Sequence, residues 1–302
     1  MQDLVELVLG RLRAQLASDN EEWGVTRIEI AGAGMQFLVF RAESRAFGPI
    51  AIRTPMKRWI TDDNDPCMDS RDLLRQEAAL ASHMRIFGVP VPKVHALVIE
   101  DDGLDFLVSE YILHDETAYD DRQLGELVRL IHECPLSDIR LAAQTDVSTE
   151  ETIALRLSRR LRVVEARSGR RLSPPSLAEF RTILKELGDR RSTLHMDLRP
   201  NNILTRGGNI VGVADWDNAL FGNPAIELAR MAEYGVLNSD FLAGYGGLDW
   251  ETELPTSLNL MLRLDAAVML AIVFLSETPD SQRARSAVER VAFLCDALKG
   301  ES

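Results

Sequence analysis

The sequence contains little cysteine. Its 302 residues include only three, Cys67, Cys134 and Cys295, and these lie far apart along the chain. There is no CxxC motif and no Cys/His pair at metal-binding spacing, so the sequence supports neither a disulfide framework nor a structural zinc site. Unpaired cysteines are typical of the reducing cytoplasm, which is the predicted location.

Positive charge is also in deficit. The chain carries 47 acidic and 34 basic residues, which gives a formal net charge of -13 at pH 7. This charge argues against general affinity for nucleic acid or for an anionic membrane surface, because both carry the same sign as the protein. We therefore expect neither as a partner. The sequence does not indicate an oligomeric state.

Long hydrophobic runs are missing as well. The longest apolar stretch, 266–275, is only half of the ~20 residues that a membrane-spanning helix needs, so it predicts a buried core helix. The N-terminal segment MQDLVELVLGRLRAQL alternates charge with leucine at helical spacing and lacks the basic and apolar regions of a signal peptide. This segment predicts an amphipathic helix.

The composition that remains is that of an ordinary globular protein, with 46% apolar residues. The first third is β-rich, with runs such as RIEIAGAGMQFLVFRAES, GPIAIRTP, VHALVIE and LDFLVSEYI, and contains one helical pattern that stops at Gly88. From Asp120 onward the pattern is mostly helical, and strands return only around NILTRGGNIVGVADW. A β-rich first part followed by a helical remainder predicts the α+β class.

The stretch TLHMDLRPNNIL, residues 193–204, places strongly polar side chains between leucines. One interpretation is a turn, for which Pro200 and the asparagines supply the geometry. The other is catalytic, because the stretch fits H-x-D-x-x-x-x-N, which in kinases supplies a base aspartate and a magnesium-binding asparagine from one loop. On this interpretation Asp197 is the base and Asn202 is a metal ligand.

A further carboxylate, Asp215, follows thirteen residues after Asn202, at the end of an apolar strand where it would reach a cleft. Magnesium prefers oxygen ligands, and one carboxylate, one amide oxygen and the phosphates of a nucleotide are a usual set. A turn aspartate would be the ordinary explanation for Asp215 alone. Its order and spacing relative to Asp197 and Asn202 favour a magnesium site.

Candidate nucleotide-binding residues lie in the first third. The turn AGAGMQF, 31–37, contains Gly32 and Gly34 and is loosely similar to a glycine-rich loop that brings N–H groups to phosphates, although a plain hairpin has the same appearance. Arg53 ends IAIR, where a kinase carries the lysine of V-A-I-K. Glu77 lies among apolar neighbours in a helical pattern, so a charge there needs a partner, and Arg53 is the predicted one. An exposed helical glutamate is the alternative.

The segment VSEYI, 108–112, resembles a linker between two lobes. In such a linker the backbone groups of Glu110 and Ile112 would hold the edge of an adenine base. This segment completes the order of strand, helix, linker, catalytic loop and metal segment along nearly the whole chain.

These motifs together resemble the aminoglycoside phosphotransferase and choline kinase family of small-molecule kinases. The family's catalytic loop reads roughly H-G-D-x-x-P-x-N and its metal segment D-W-x-x-x-x-x-G-D-P-x-x-D-L-A, which correspond here to 195–202 and 215–229. The resemblance implies a two-lobed, protein-kinase-like fold. It would have a nucleotide-binding N-lobe with an antiparallel β-sheet over 1–109, and a mainly helical C-lobe with the hinge, catalytic loop and substrate pocket over 110–302.

Four positions depart from the family pattern. Met196 replaces a glycine, Asn223 and Glu227 replace aspartates, and Arg53 replaces the lysine. The first three leave the predicted base and metal ligands in place. Arg53 keeps the positive charge of the lysine, and its planar guanidinium can bind two phosphate oxygens. The replacement of lysine by arginine therefore does not imply a loss of activity.

The resemblance also implies a reaction, in-line transfer of the γ-phosphoryl group of ATP to a hydroxyl of a small molecule, with GTP kept open as donor. Asp197 would orient the hydroxyl and accept its proton, and Asn202 and Asp215 would bind magnesium. Arg53, held by Glu77, would position the phosphates. His195 would brace the loop as an ordinary core histidine.

Two other functions share these motifs. A protein kinase needs an activation segment and a peptide platform, and the residues from Asp215 to Pro224 are too few for that segment. A non-catalytic nucleotide-binding module is motivated by Arg53 and the weak glycine loop, since a fold does not fix a function. Retention of Asp197 argues against such a module, because a pure binder has no need of a base.

The acceptor is the least predictable part. The segment 100–121 holds nine acids and no lysine or arginine, which most often means a solvated face but would favour an aminated substrate if it lined the cleft, as would Asp249, Glu251 and Glu253. Against this, a basic segment contains Arg156, Arg159, Arg160, Arg162, Arg167, Arg170 and Arg171. The basic segment predicts a solvated helix that pairs with acids elsewhere, with an acidic substrate group or a protein partner as alternatives.

Overall fold

The structure, a computed structural model, describes residues 2–18, 20–65, 67–115, 117–143, 147–247 and 253–301. Glu116, one of the nine acids of the segment 100–121, and also Asp249 and Glu251 lie outside these residues.

The N-terminal lobe contains a five-stranded antiparallel sheet with the order β1-β2-β3-β7-β6. These strands are β1 (Val25–Ala33), β2 (Phe37–Ser44), β3 (Gly48–Pro55), β6 (Val94–Val98) and β7 (Phe106–Glu110). The short pair β4 (Trp59–Ile60) and β5 (Met68–Asp69) lies beside it. The predicted helices at the N-terminus and before Gly88 are α1 (Gln2–Ser18) and α2 (Ser70–Ile86).

The alternation of side chains along the strands decides which helix covers which face. Phe40 and Ile52 are fully buried on the face that packs against Leu12 of α1. Phe37 belongs to the opposite face, where it packs with Leu73 of α2. Arg53 follows Ile52 on β3 and therefore points to the α2 side, toward the helix that carries Glu77.

The C-terminal lobe is mainly helical and surrounds one large apolar core. The predicted boundary between the two lobes, between residues 109 and 110, stays a prediction. Strand β7, the last of the five-stranded sheet along the chain, ends at Glu110. The helices of this lobe are α3 (Asp121–Glu133), α4 (Thr149–Ser168), α5 (Leu177–Leu184), α6 (Ala225–Glu233), α7 (Ser239–Tyr245), α8 (Thr256–Ile272) and α9 (Ser281–Gly300).

Helix α8 continues through one π-helical turn, Val273–Glu277. By length and composition alone, Thr256–Glu277 could cross a membrane, but 61% of its most apolar window is buried inside the protein. Leu258, Met261 and Leu264 belong to the core of the C-terminal lobe. The apolar run is therefore a core helix, as the sequence predicts.

Four short strands frame the polar stretch 195–202, and the sequence predicts only two of them. Strands β9 (Ile203–Arg206) and β10 (Asn209–Val213) form the expected hairpin. Strand β8 (Ser192–Leu194), just before the polar stretch, pairs with β11 (Leu220–Gly222), which lies within the metal segment. Three residues are too few for a period-two pattern to be visible, which is why sequence analysis missed β8 and β11.

The basic segment 156–171 pairs with acids elsewhere, in agreement with the sequence prediction. Arg156 donates through Nε to Asp265 on α8 at 2.9 Å, and Arg167 donates to Asp63 of the N-terminal lobe at 2.9 Å. Arg160 lies 3.6 Å from Asp65. The helix is less solvated than predicted, because Arg160 is only 5% exposed.

Candidate active site

The loop after β8 brings Asp197 and Asn202 into direct contact. The Asn202 side-chain amide donates to the Asp197 carboxylate at 2.8 Å and to the Asp197 carbonyl at 2.9 Å. Pro200 starts a single 3-10 turn, Pro200–Asn202, that folds the chain back far enough for this contact. Because the amide nitrogen faces Asp197, the Asn202 amide oxygen remains for a metal.

The Asp197 carboxylate is buried and has partners on both oxygens. Oδ2 accepts from Asn202 and from the Arg199 guanidinium, whose Nε lies 3.1 Å away. Oδ1 accepts from the Tyr234 hydroxyl at 3.2 Å, and Tyr234 in turn accepts from Arg230 Nε at 3.0 Å. Donors on both oxygens fix the orientation of the carboxylate.

Glu227, the residue that replaces the family's aspartate, stabilises the catalytic loop by accepting hydrogen bonds from its backbone. Its buried carboxylate accepts the Met196 N–H at 2.5 Å and the His195 N–H at 3.2 Å, and contacts His132 Nε2 at 2.8 Å. Burial opposes ionisation of Glu227, but the His132 contact, the nearby His195 ring and the Met196 N–H hold its pKa below the usual range. Glutamate thus provides the acceptor that the loop backbone needs.

Met196 adopts a left-handed backbone conformation, with φ of +66°. The family's glycine at this position is explained by this conformation, which a residue with a side chain adopts at a cost. The Met196 side chain is 1% exposed and belongs to the core of the C-terminal lobe. Burial of this side chain offsets the backbone strain.

His195 is a fully buried, satisfied histidine. Its Nδ1 accepts the Asp197 N–H at 3.2 Å, its Nε2 lies 3.1 Å from the Ala214 carbonyl, and its ring lies 4.5 Å from the Trp216 ring. These contacts connect the catalytic loop to the metal segment. The Asn202 carbonyl also accepts the Ala214 N–H at 3.0 Å, which brings Asp215 next to Asn202.

Arg53 lies between three carboxylates. Its Nη2 donates to Asp215 at 3.1 Å and to Asp217 at 2.6 Å, and its Nη1 lies 3.5 Å from Glu77. Burial alone would lower the pKa of Arg53, but the three carboxylates raise it above its ordinary value. The structure thus brings the predicted pair Arg53 and Glu77 together and adds two partners from the metal segment.

Asp217 was not identified from the sequence. Its Oδ2 binds Arg53, while its buried Oδ1 has no hydrogen-bond partner among the described residues. Burial and the neighbouring Asp215 and Glu77 outweigh the attraction of Arg53 and raise the pKa of Asp217 to about 7. The spacing of two residues in Asp215-Trp216-Asp217 was the signal that could have indicated it.

Helix α2 holds the metal segment through backbone hydrogen bonds. Gln76 Nε2 donates to the Trp216 carbonyl at 2.5 Å and to the Asp217 carbonyl at 3.0 Å. Glu77 accepts the Trp216 N–H at 2.6 Å, and burial raises the pKa of Glu77 despite the nearby Arg53. Two adjacent residues of the N-terminal lobe therefore fix the position of the C-terminal lobe's metal segment.

The donor set fits a hard cation that is shared with a nucleotide. Asp215 is at φ +70°, a conformation that aspartate tolerates better than most residues, and its side chain is 39% exposed. Among the described residues no group of three or more His, Cys, Asp or Glu side chains could hold a metal by itself. Magnesium commonly takes one or two carboxylates and completes its shell with phosphates and water. Asp215, the Asn202 amide oxygen and the orphaned Asp217 Oδ1 suit such an ion.

The glycine turn connects β1 and β2. Gly32 lies in β1, where a Cβ would meet nothing within 4 Å, and the Gly34 N–H donates to the Phe37 carbonyl at 2.9 Å. Neither glycine has a positive φ, so a hairpin alone does not require glycine here. The Gln36 side chain ties the turn to Asp62 at 3.0 Å.

The predicted linker groups lie at the end of β7. The Glu110 N–H donates to the Lys93 carbonyl at 2.8 Å, and the Ile112 carbonyl lies 2.9 Å from His114 Nδ1. These two groups are used within the protein. The Glu110 carbonyl and the Ile112 N–H are the candidate acceptor and donor for an adenine edge.

Several acids of the segment 100–121 have structural partners. Asp105 and Asp101 contact Arg71 at 2.8 and 3.0 Å. Asp115 accepts the Gly207 N–H at 3.0 Å, and Asp120 caps the first turn of α3. Asp101, Asp115 and Asp120 are exposed, as the solvated-face interpretation expects, whereas Asp105 is buried against Arg71.

Besides Asp217, sequence analysis missed the roles of Tyr234, Gln76 and His132. Gln76 and His132 lie on helices and Tyr234 directly follows α6. Each reaches the site only because its helix packs beside the catalytic loop or the metal segment. A lone tyrosine or glutamine in a helical pattern carries no signal of this kind. Arg199 lies inside the quoted motif, but the sequence gave no reason to assign it a role.

The sequence is similar to a known protein family over most of its length. The sequence profile of a phosphotransferase enzyme family matches residues 31–255, a span that includes Arg53, Asp197 and Asp215. No sequence among curated proteins matches the chain.

Solved structures share the fold at low sequence identity. A candidate fructosamine-3-kinase from Haemophilus somnus 129PT is 13% identical with a TM-score of 0.66, and the match covers 95% of this chain and 97% of that one. Aminoglycoside phosphotransferase APH(4)-Ia is 14% identical with a TM-score of 0.62, over 99% and 98% of the two chains. A candidate aminoglycoside phosphotransferase from Ralstonia eutropha JMP134 is 14% identical with a TM-score of 0.60, over 95% and 96%. The fold is thus the two-lobed α+β fold of protein-kinase-like phosphotransferases.

Proposed function

The chain belongs to the phosphotransferase enzyme family, and from this membership we propose that it transfers the γ-phosphoryl group of ATP to a hydroxyl group of a small molecule. The proposal rests on the hydrogen bond between the Asn202 side chain and the Asp197 carboxylate. A second hydrogen bond, from the Ala214 N–H to the Asn202 carbonyl, brings Asp215 next to this pair. This arrangement places a base, a metal ligand and a second metal ligand on adjacent loops. A protein that only binds nucleotide has no chemical use for a base.

In the proposed reaction the bond between the γ-phosphorus and the oxygen that bridges it to the β-phosphate breaks. A new bond forms between the phosphorus and the acceptor oxygen, and ADP leaves. Asp197 orients the acceptor hydroxyl and takes its proton. When bound through Asn202 and Asp215, magnesium would neutralise the phosphate charge.

Arg53 is the proposed phosphate-positioning cation. Its guanidinium donates to both Asp215 and Asp217. Phosphate oxygens would compete with these carboxylates for the same donors, and Glu77, which lies 3.5 Å from Nη1, would keep the guanidinium at the cleft.

Related structures support nucleotide as the donor. A thermostable mutant of APH(4)-Ia forms a ternary complex with ADP and hygromycin B, and an aminoglycoside 2'-phosphotransferase is bound to GDP. We propose ATP for this chain and keep GTP as the alternative donor. The Glu110 carbonyl and the Ile112 N–H would bind the base edge, and the turn with Gly32 and Gly34 would face the phosphates.

We further propose a cytoplasmic location, supported by three free cysteines. A small molecule is the expected partner, and nucleic acid and membranes are not, in line with the net charge of -13.

The substitution Asp197→Asn tests the proposal. It keeps the size of the side chain and one acceptor oxygen but removes the proton acceptor. Because a general base contributes ~10²- to 10⁴-fold, ADP release with an acceptor should fall by about that factor while nucleotide affinity hardly changes. The measurements are a nucleotide-binding titration and a coupled ADP-release assay over a panel of hydroxylated small molecules.

The matched control is Asn202→Ala, which removes a metal ligand and no base. This variant should raise the magnesium concentration needed for half-maximal rate, which Asp197→Asn should leave unchanged. Native turnover in Asp197→Asn would favour the non-catalytic nucleotide-binding module instead.

A further inference from the structure

The guanidinium of Arg53 shares one of its nitrogens between two carboxylates of the metal segment. Nη2 lies 2.6 Å from Asp217 Oδ2 and 3.1 Å from Asp215 Oδ1, so Asp217 is the nearer partner. The other terminal nitrogen, Nη1, lies 3.5 Å from Glu77. One cation therefore faces three carboxylates.

These three carboxylates differ in how open they are to an ion from solution. The side chain of Asp215 is 39% exposed, whereas those of Asp217 and Glu77 are 15% and 9% exposed. Asp215 is thus the member of the group that a metal ion can reach most easily. Asp217 and Glu77 form the buried part of the group together with Arg53.

Neighbours from both lobes fix the guanidinium beside Asp217. Gln76 Nε2, on α2, donates to the Asp217 carbonyl at 3.0 Å and so ties this part of the metal segment to the N-terminal lobe. The Phe37 ring of β2 covers one face of the guanidinium, with its centroid 4.0 Å from Arg53 Cζ. The contact between Arg53 and Asp217 is therefore supported on each side by packing.

Asp215 cannot serve both Arg53 and a magnesium ion equally well. The guanidinium and the ion carry charges of the same sign, and their repulsion is weakly screened where water is excluded. If Asp215 were the only acceptor for Nη2, the guanidinium would oppose binding of the ion. Asp217 gives Nη2 another acceptor at a shorter distance, so Arg53 can stay in place when Asp215 binds an ion.

The arginine that replaces the family's lysine fits this arrangement. A lysine side chain ends in a single nitrogen, whereas a guanidinium presents several nitrogens in a fixed plane. Arg53 directs Nη1 to Glu77 and Nη2 to Asp217. A lysine could not make these two contacts from different atoms.

We propose that Asp217 is a positioning residue that retains Arg53 at the cleft and thereby leaves Asp215 free for magnesium. The inference rests on the proposed phosphotransfer and its metal site, and it assigns Asp217 a role through Arg53. Glu77 alone does not fulfil this role, because it faces the other terminal nitrogen.

The substitution Asp217→Asn tests this role through magnesium binding. Asparagine keeps the shape of the side chain and removes its charge, so Arg53 should bind Asp215 more strongly. Isothermal titration with ADP at increasing magnesium concentrations gives the concentration at which the gain in ADP affinity is half-maximal. In Asp217→Asn this concentration should rise about tenfold, as expected when charged groups in contact are coupled. Asp240→Asn, at an exposed position of α7, is the matched control and should leave it unchanged.

The same substitution in an Arg53→Gln protein separates this role from a direct effect of the Asp217 charge on the metal. Without a guanidinium that competes for Asp215, Asp217→Asn should change the magnesium concentration by less than about threefold. Should Asp217→Asn fail to fold in either background, Asp217→Ser removes the same charge with a smaller side chain and takes its place.

The outcomes distinguish this inference from the proposed function. An equal rise in both backgrounds would overturn the inference, because Asp217 would then act on the metal directly, as a ligand through Oδ1. No rise in the Arg53 background would overturn it as well, since Arg53 would not compete with the metal. Neither result affects the proposed phosphotransfer, whose readout is ADP release in Asp197→Asn. An ADP affinity that does not depend on magnesium in the native protein would overturn the proposed metal site, and the role of Asp217 with it.

Discussion

At the scale of single residues, the site depends on a few side chains with several partners each. Arg53 contacts Glu77, Asp215 and Asp217, and Glu227 supports the loop through two backbone N–H groups and His132. Such residues act as units, so single substitutions overstate what each contributes.

The pair Arg53 and Glu77 should therefore show strong coupling. Arg53→Ala should lower kcat/KM for ADP release, and adding Glu77→Gln should do little further harm, because the main partner of Glu77 is already gone. Glutamine keeps a side-chain oxygen that can accept the Trp216 N–H. Glu77→Gln therefore removes the ion pair with Arg53 and leaves the backbone hydrogen bond in place. A double-mutant cycle should give a coupling of about 0.5–3 kcal/mol. Additive losses would show that the two residues work independently.

Met196 allows backbone strain to be separated from side-chain burial. Met196→Ala and Met196→Gly both remove the buried side chain, which should cost roughly 2–5 kcal/mol of unfolding free energy. Only the glycine also removes the strain at φ +66°, so the alanine variant should be less stable than the glycine variant by about 1 kcal/mol. Urea denaturation of the two variants measures the difference. An alanine variant as stable as the glycine variant would mean that the left-handed conformation costs nothing.

At the scale of elements, the position of the catalytic loop depends on how helices approach it. Helix α3 carries His132, which contacts Glu227 beneath the loop, and α3 packs closely against α7. Gly125 and Gly244 make this approach possible. A Cβ at Gly125 would lie 2.0 Å from the Phe241 carbonyl oxygen, and one at Gly244 would lie 2.1 Å from the Arg122 carbonyl oxygen.

Alanine at either glycine should force the two helices apart. We expect Gly125→Ala and Gly244→Ala each to lower the unfolding free energy by about 1–3 kcal/mol, as overpacking does. Gly10→Ala in α1 is the control, since nothing lies within 4 Å of its Cβ position and alanine favours a helix by up to about 1 kcal/mol. Denaturation of the three variants tests this, and unchanged stability at position 125 would contradict the close approach.

At the scale of the whole molecule, the two lobes meet through the metal segment. Gln76 and Glu77 of α2 bind the backbone around Trp216, and Arg53 of β3 binds Asp215 and Asp217. A ligand that binds between these groups contacts both lobes at once. Its binding energy therefore adds to the stability of the whole molecule.

Magnesium with ADP should accordingly raise the Tm. At a ligand concentration of 100 times Kd the gain is about 2.7 kcal/mol, and the part that requires magnesium should disappear in Asp215→Ala. Asp240→Ala, at an exposed position of α7, should keep the full shift. Thermal unfolding with ADP alone, with ADP and magnesium, and with ADP and a chelator separates the Tm shift due to ADP from the shift that requires magnesium. A magnesium-dependent shift that survives in Asp215→Ala would remove Asp215 from the metal site.

The sequence alone determined the fold class, the kinase-like family and the loop with Asp197 and Asn202, because these depend on local order and spacing. The sequence also predicted Arg53 as the partner of Glu77, because a charge among apolar neighbours needs one. Tertiary structure decided what surrounds these residues. Tyr234 and Gln76 are distant along the chain from the residues they contact, and Asp217 meets Arg53 only after the two lobes have packed. The arginines of α4 likewise face Asp265 only after α4 has packed against α8. Periodicity reports which face of an element is buried, whereas the partner of a buried charge depends on which elements meet there.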